Sequence, residues 1–236
     1  MKLAGFYKHQ NKNVILKTDY SNLQDFEKVY ISKVFTQTKI SDEERILSMP
    51  NVEFGGTGFF YDKAEPLSYD VEHSRPDYSL YSDYVSGQIN KGVKPSTLRC
   101  FTDYSIGFLT RGCFRKCDFC VNKRYDRCVT HSPLFEFYDD TRKKIMLLDD
   151  NILAGPKWRC LFEQLDDTGK PYTFKQGIDI RLITPEFCKD DRQIKIRWRY
   201  ILRVRSYPRR RAYRTQTIHV PSVFQQTGQD VCILRV

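Results

Sequence analysis

Three cysteines in one short stretch constrain this chain more than any other feature. They are spaced Cys113-x3-Cys117-x2-Cys120, and Gly112 directly precedes the first of them. Thiolates at such short spacings are typical of iron–sulfur sites, because one loop must wrap a compact inorganic core and aim several sulfur atoms at it. Three thiolates can each hold one iron of a four-iron cluster and leave the fourth iron without a protein ligand. The sequence therefore predicts a [4Fe-4S] cluster with an open metal position, held by these three cysteines.

Two other interpretations of the same cysteines stay open. A zinc ion could be held by the loop with Cys128 or His131 as a further ligand, or the thiols could simply be buried packing groups. The usual structural zinc pattern has two Cys-x2-Cys pairs, whereas this chain has one such pair, extended by a cysteine four positions upstream. The spacing therefore favours the iron–sulfur interpretation.

The loop also resembles a known family. Its CxxxCxxC pattern, with the aromatic Phe119 just before the last cysteine, is similar to the hallmark of the radical S-adenosylmethionine (SAM) superfamily. The resemblance implies that the free iron chelates the amino and carboxylate groups of SAM, and that one electron from the reduced cluster cleaves the sulfonium to a 5′-deoxyadenosyl radical. It also implies an electron donor such as flavodoxin or ferredoxin, and a substrate that the sequence does not identify.

Two downstream segments extend the resemblance. Residues 144–153 form an apolar run that ends in Asp149, Asp150 and Asn151, and residues 172–183 are similar to the next strand of the family's barrel. Barrel enzymes place functional groups at the carboxyl ends of strands. Such residues also serve as ordinary turn formers and helix caps. The candidate contacts to SAM or substrate are Asp150, Asn151, Gln176, Asp179 and Arg181.

The first 60 residues show short β-rich runs separated by polar stretches, which predicts an α/β fold with parallel strands. They resemble a degenerate cobalamin-binding-like domain of the flavodoxin or Rossmann type, expected to lack its opening strand because similar proteins are already in their first helix at this point. No Asp-x-His-x-x-Gly string occurs, and His9 is the only histidine among the first 70 residues. Cobalamin ligation through histidine is therefore not predicted. The glycines of 55–58 favour a tight strand–loop turn over a phosphate site.

The rest of the chain divides into three parts. Residues 61–97 carry three prolines and the string Pro76-Asp-Tyr-Ser-Leu-Tyr81, which predicts an extended linker docked on the body of the protein. Residues 98–190 are expected to form a partial radical SAM β/α barrel, because about thirty residues per strand–helix unit leave room for roughly three of six units. The fold class predicted for the whole chain is α/β, with an incomplete barrel following the cobalamin-binding-like half-domain.

Residues 191–236 form a basic tail. Residues 192–236 hold eleven basic residues and one acidic residue, whereas residues 1–191 hold 28 of each. Three accounts compete: an RNA-binding arm, a solvated extension, or an out-of-frame translation of the next barrel strand. Codons for Asp-Gly-Asp, when read one base early, can encode the observed run Arg197-Trp-Arg-Tyr200. This favours the third account, and it predicts that the segment is disordered. The nucleotide sequence of the gene tests this hypothesis.

The composition also bears on the cellular compartment and on an alternative function. No signal peptide precedes the eight cysteines, and no apolar run approaches the roughly 18 residues of a membrane span, so a reducing cytoplasm and no membrane partner are expected. The cysteines outside the loop are expected to be packing or incidental thiols. The alternative function is a nucleic-acid-binding module with a zinc knuckle and a basic arm; nucleic acid is not expected unless the tail is genuine.

Overall fold

The chain folds into a mixed α/β structure with small sheets. The computed structural model describes residues 1–118, 120, 124–183 and 232–235. Most of the predicted basic tail, together with Phe119 and Cys188, lies outside the described residues. Within those ranges no helix is both long enough and apolar enough to cross a membrane.

The regular elements are short. The strands are β1 (Leu16–Lys17), β2 (Val29–Ser32), β3 (Val52–Gly55), β4 (Tyr104–Gly107), β5 (Thr110–Arg111), β6 (Val129–Thr130), β7 (Lys144–Leu147), β8 (Tyr172–Phe174) and β9 (Cys232–Arg235). The α-helices are α1 (Lys2–His9), α2 (Glu43–Leu47), α3 (Thr57–Phe60), α4 (Tyr69–Glu72), α5 (Ser82–Asn90), α6 (Arg99–Thr102) and α7 (Trp158–Asp167). Short 3-10 helices cover Leu23–Asp25, Tyr61–Lys63, Pro95–Leu98, Leu134–Glu136, Ile152–Ala154 and Ile180–Leu182.

A four-stranded sheet forms the first region, in the order β1-β9-β2-β3. Strands β2 and β3 are parallel, with Val29 opposite Val52 and Ser32 opposite Gly55, while β9 runs antiparallel to both of its neighbours. Its core consists of Leu23, Val29, Ile31, Ile40, Ile46 and Val52. The parallel pairing predicted for residues 1–60 is therefore present in β2 and β3, and His9 is exposed at the end of α1.

The glycines after β3 make a tight turn. Gly56 has a φ of +102°, and the Gly58 amide donates to the Lys33 carbonyl at 2.8 Å. A Cβ on Gly58 would lie 2.8 Å from that carbonyl oxygen, which is closer than packed atoms allow. The turn thus fits the strand–loop packing favoured from the sequence, since its amide is engaged by the main chain.

Three parallel strands form the second sheet, in the order β4-β7-β8. Tyr104 of β4 lies opposite Lys144 of β7, and Ile145 of β7 lies opposite Tyr172 of β8. Helix α7 covers the sheet with three buried residues, Leu161, Phe162 and Leu165. The strands predicted within 144–153 and 172–183 are therefore present, at positions 144–147 and 172–174. The described sheet has two edges, β4 and β8, and the partial barrel stays a prediction.

The segment 61–97 contacts the second sheet. The hydroxyl of the partly buried Tyr78 donates to the Phe137 carbonyl at 2.7 Å and accepts from the Ile106 amide at 2.7 Å. The Arg142 guanidinium lies 4.2 Å from the centre of the Tyr78 ring and donates to the Tyr78 carbonyl at 3.0 Å. Burial raises the pKa of Tyr78 to about 12, so the hydroxyl stays protonated and can donate. Tyr78 of the Pro-Asp-Tyr-Ser-Leu-Tyr string thus fixes this segment against β4.

Candidate metal centre

The cysteine loop lies at the carboxyl end of β4, between the two strands of the antiparallel pair β5 and β6. It begins at Gly112, whose φ of +90° is a conformation that side chains disfavour. A Cβ there would also lie 2.5 Å from the Arg127 carbonyl oxygen and 2.6 Å from the Tyr125 Cβ. The chain can therefore turn into the loop at this point because the residue is glycine.

The carboxylate of Asp149 holds the strand that leads into the loop. It accepts from the Thr110 amide at 2.6 Å, the Thr110 hydroxyl at 2.7 Å and the Leu109 amide at 3.2 Å. Asp149 is 1% exposed, and this burial raises its pKa to about 6, although the hydrogen bonds from Thr110 and Leu109 oppose part of the rise. A buried carboxylate with three donors joins the end of β7 to β5.

The next two residues hold the loop itself. Asp150 accepts from the Gly112 amide at 2.9 Å, and the Asn151 side-chain amide donates to the Cys113 sulfur at 3.3 Å. The other end of that amide, Asn151 Oδ1, is buried and has no hydrogen-bond partner among the described residues. Asp149, Asp150 and Asn151 therefore fix three successive parts of the chain, from Leu109 to Cys113, and leave one acceptor free.

Two guanidinium groups share a carboxylate on the other side of the loop. Asp179 accepts from Arg115 Nε at 2.5 Å and from Arg181 Nε at 2.7 Å. Burial raises the pKa of Asp179, but the hydrogen bonds from Arg181 and Arg115 outweigh it and hold the pKa below its ordinary value. The hydrogen bond with Asp179 raises the pKa of Arg181, and the charges of Cys117 and Cys113 raise it further. Fixed positive charge therefore lies near the cysteine sulfurs.

The three predicted metal ligands share one loop and are all partly exposed. The Cys120 amide donates to the Cys117 carbonyl at 2.9 Å, which closes the loop between them. Across residues 1–118, 120, 124–183 and 232–235, no three His, Cys, Asp or Glu side chains are grouped as a metal site. The structure thus gathers the thiols on one loop without showing a ready site for a single ion.

The other sequence-predicted residues differ in their placement. Asp150, Asn151, Asp179 and Arg181 come together around the cysteine loop, whereas Gln176 is half-buried in the turn after β8. Arg115 was not predicted, although its position between Cys113 and Cys117 was a signal that its side chain would be near the site. Its contact with Asp179 joins residues 64 positions apart. Sequence spacing does not show such a contact.

Cys128 is a buried thiol beside the loop, as expected of a packing residue. Burial raises its pKa, the Thr110 hydroxyl opposes part of the rise, and the charges of Asp149 and Cys113 add to it. It therefore favours the protonated thiol. Cys160 is exposed on α7, and Cys100 is partly exposed.

A second polar cluster lies beside β5 and β6. His73 Nδ1 is 3.0 Å from Glu136 Oε1, and Glu72 lies 3.6 Å from Arg111 and 3.7 Å from His131. The two histidine rings stack with centres 5.2 Å apart. Burial and the Arg111 charge lower the pKa of His131 to about 4, so its ring is neutral at pH 7. This cluster joins α4 to the strands that flank the loop.

Comparison of the chain with protein-family models, with curated proteins and with solved structures finds no match. The function proposed for it therefore depends on the residues of the site itself.

Proposed function

We propose that this chain is a radical SAM protein that binds a [4Fe-4S] cluster through Cys113, Cys117 and Cys120. The observation that carries the proposal is the placement of the cysteine loop. It lies at the carboxyl end of a parallel strand and is held there by consecutive residues, Asp149 to Asn151, from the end of the next strand. The carboxyl edge of parallel strands is where α/β proteins place ligands and catalytic groups.

The donor set fits a four-iron cluster. Three thiolates on one loop can each bind a separate iron, so their sulfur atoms do not have to meet at one point. A zinc ion, in contrast, draws its four ligands into one tetrahedron at about 2.0–2.3 Å. The guanidinium groups of Arg115 and Arg181, both held by Asp179, place positive charge near the cysteine sulfurs.

The residues also fit the amino-acid part of SAM. Asn151 Oδ1 is a buried acceptor without a partner in the described part of the chain, and it suits an ammonium group. Arg181 is anchored by Asp179 while its side chain remains 48% exposed, and a guanidinium suits a carboxylate. When bound, the cluster and SAM together supply one-electron chemistry for abstraction of a substrate hydrogen. The chain's own residues orient SAM and hold the loop.

The partners proposed for this function are an electron donor of the flavodoxin or ferredoxin type and a substrate that carries the abstracted hydrogen. A cytoplasmic location suits an oxygen-sensitive cluster and free thiols. Cobalamin is not part of the proposal.

Anaerobic reconstitution tests the metal part of the proposal. We expect about four iron and four sulfide per wild-type chain and loss of most of both in Cys117→Ala, because one of three anchors is removed. Cys160→Ala is the matched control, since it removes an exposed thiol on α7. Tightly bound zinc, or an iron content that Cys117→Ala leaves unchanged, would contradict the proposal; zinc would favour the nucleic-acid-binding alternative.

Release of 5′-deoxyadenosine tests the SAM part separately. The reconstituted wild type, reduced with dithionite, should release this product from SAM, whereas Cys117→Ala should not. A wild type that is loaded with iron and sulfide but releases none would retain the cluster proposal and contradict the SAM proposal.

A further inference from the structure

The sulfur of Cys113 accepts two N–H groups in this structure. One comes from the side-chain amide of Asn151 at 3.3 Å, and the other is the main-chain amide of Arg115 at 3.4 Å. Both contacts suit the weaker, longer hydrogen bonds that sulfur accepts. Cys113 is thus placed in an environment of positive dipole ends.

Both donors are held in place by contacts of their own. Asn151 is 3% exposed and directly follows Asp150, which is fixed to the Gly112 amide. Arg115 is fixed through its side chain, because Nε donates to Asp179. Both N–H groups are therefore already in position when the sulfur gains charge, and no free energy is spent on ordering them.

Hydrogen bonds to the ligating sulfurs are one of the main influences on the reduction potential of an iron–sulfur cluster. An added electron makes the sulfurs more negative, and an N–H dipole that points at a sulfur stabilises the reduced form more than the oxidised form. The effect is larger for a donor that is shielded from water, where the effective dielectric constant is low, and Asn151 is 3% exposed. A side-chain donor allows a substitution to remove this effect without altering the ligand.

We propose that Asn151 is a positioning residue that raises the reduction potential of the cluster by donating to the Cys113 sulfur. This inference rests on the proposed function, because it requires a cluster on the three cysteines. It goes beyond that function because it assigns Asn151 an electronic role through Cys113, independent of any contact with SAM.

An anaerobic redox titration followed by electron paramagnetic resonance tests the inference in the absence of SAM. In Asn151→Leu, which has a similar volume and no donor, the ratio of reduced to oxidised cluster at a fixed potential should fall about tenfold, which is 59 mV for one electron. In Asn151→Asp the ratio of reduced to oxidised cluster should fall at least as far, because a carboxylate adds negative charge and cannot donate. Asn90→Leu makes the same chemical change at an exposed position on α5 and should leave the ratio unchanged.

A measurement on the wild type avoids dependence on variants that fail to load. With asparagine labelled with 15N in its side-chain amide, pulsed electron paramagnetic resonance of the reduced cluster should show a nitrogen coupling. Loaded Asn151 variants with an unchanged potential would overturn the inference and leave the proposed function standing. Absence of the nitrogen coupling would do the same. A wild type without iron and sulfide would overturn both.

Discussion

In two regions of this molecule, parallel strands lead into a loop. The two loops are held in place in different ways. After β2 and β3, the main chain closes the loop on itself: the Gly58 amide donates to the Lys33 carbonyl, and the Lys33 amide donates to the Gly55 carbonyl at 3.0 Å. After β4 and β7, side chains hold the loop, since Asp149 and Asp150 accept from main-chain amides.

The difference shows what makes such an edge available to a ligand. Where the main chain closes the loop, glycines are needed and the polar groups are engaged within the turn. Where carboxylates hold the loop from a neighbouring strand, the loop can carry thiols, and side chains such as Asn151 keep an atom for another partner. The two loops occupy equivalent places in their sheets, and the second carries the thiols of Cys113, Cys117 and Cys120.

Among the tests of this difference between the loops, Asp149→Ala is expected to have the largest effect. Removing the carboxylate leaves two buried amides and a hydroxyl without their acceptor, so the free energy of unfolding should fall by about 3 kcal/mol or more. Urea denaturation monitored by circular dichroism measures it. Asp140→Ala, at an exposed position before β7, should change it by less than about 0.5 kcal/mol. Equal effects of the two substitutions would show that Asp149 does not hold the loop.

A smaller effect is expected for alanine at two close-packed glycines, one in each region. A Cβ on Gly107 would lie 2.3 Å from the buried ring of Phe137, and a Cβ on Gly58 would approach the Lys33 carbonyl. Each substitution should cost about 2 kcal/mol of stability, because neighbouring atoms must move. Only Gly107→Ala should also lower the iron content after reconstitution, since β4 leads into the cysteine loop.

Gly87→Ala is the control for this pair. Gly87 lies inside α5, and apart from the backbone of its own helix no atom lies within 4 Å of the added Cβ, so alanine should stabilise the protein by about 0.5–1 kcal/mol. If Gly58→Ala lowered the iron content as much as Gly107→Ala, the two regions would not be separate in their roles.

The smallest expected effect is on the pH dependence of stability, because the contributions of His131 and Asp149 nearly cancel. His131, with a pKa of about 4 against an ordinary 6.5, contributes stability that is present above pH 6.5 and is lost as the pH falls towards 4. Asp149, with a pKa of about 6 against an ordinary 3.8, contributes stability that is present below pH 3.8 and is lost as the pH rises through 6. Between pH 4 and 6 the two contributions change in opposite directions.

Denaturation at pH 4 and pH 6.5 tests the cancellation. In Asp149→Asn, only the His131 contribution changes, so the variant should lose more stability on acidification than the wild type does. In His131→Phe the opposite holds, and acidification should be less harmful than in the wild type. Identical pH profiles of the wild type and Asp149→Asn would contradict the raised pKa of Asp149.

Local patterns predicted much of this structure. The apolar runs of 144–153 and 172–183 predicted the strands β7 and β8. Of the polar residues that follow them, Asp150, Asn151, Asp179 and Arg181 lie around the cysteine loop, whereas Gln176 lies in the turn after β8. Residue type and spacing are enough for such features, because a strand and its end are properties of a few neighbouring residues.

Long-range contacts could not be predicted in the same way. The sequence placed Asp149 at a strand end but gave no sign that its carboxylate accepts from Thr110, 39 positions earlier. The stacking of His73 on His131 and the place of β9 between β1 and β2 likewise depend on how distant segments pack. The resemblance that suggested a cluster and SAM stays a prediction for experiment.

The hydrogen bonds by which Asp149, Asp150 and Asn151 hold the cysteine loop have a consequence for how the protein is made. The cysteines leave the ribosome before the residues that shape their loop, and Asp149 follows Cys113 by 36 positions. At typical translation rates, this interval lasts roughly 2 to 7 seconds. During that time the nascent thiols are exposed to oxidation and to stray metal ions, because the residues that hold their loop have not yet been synthesised.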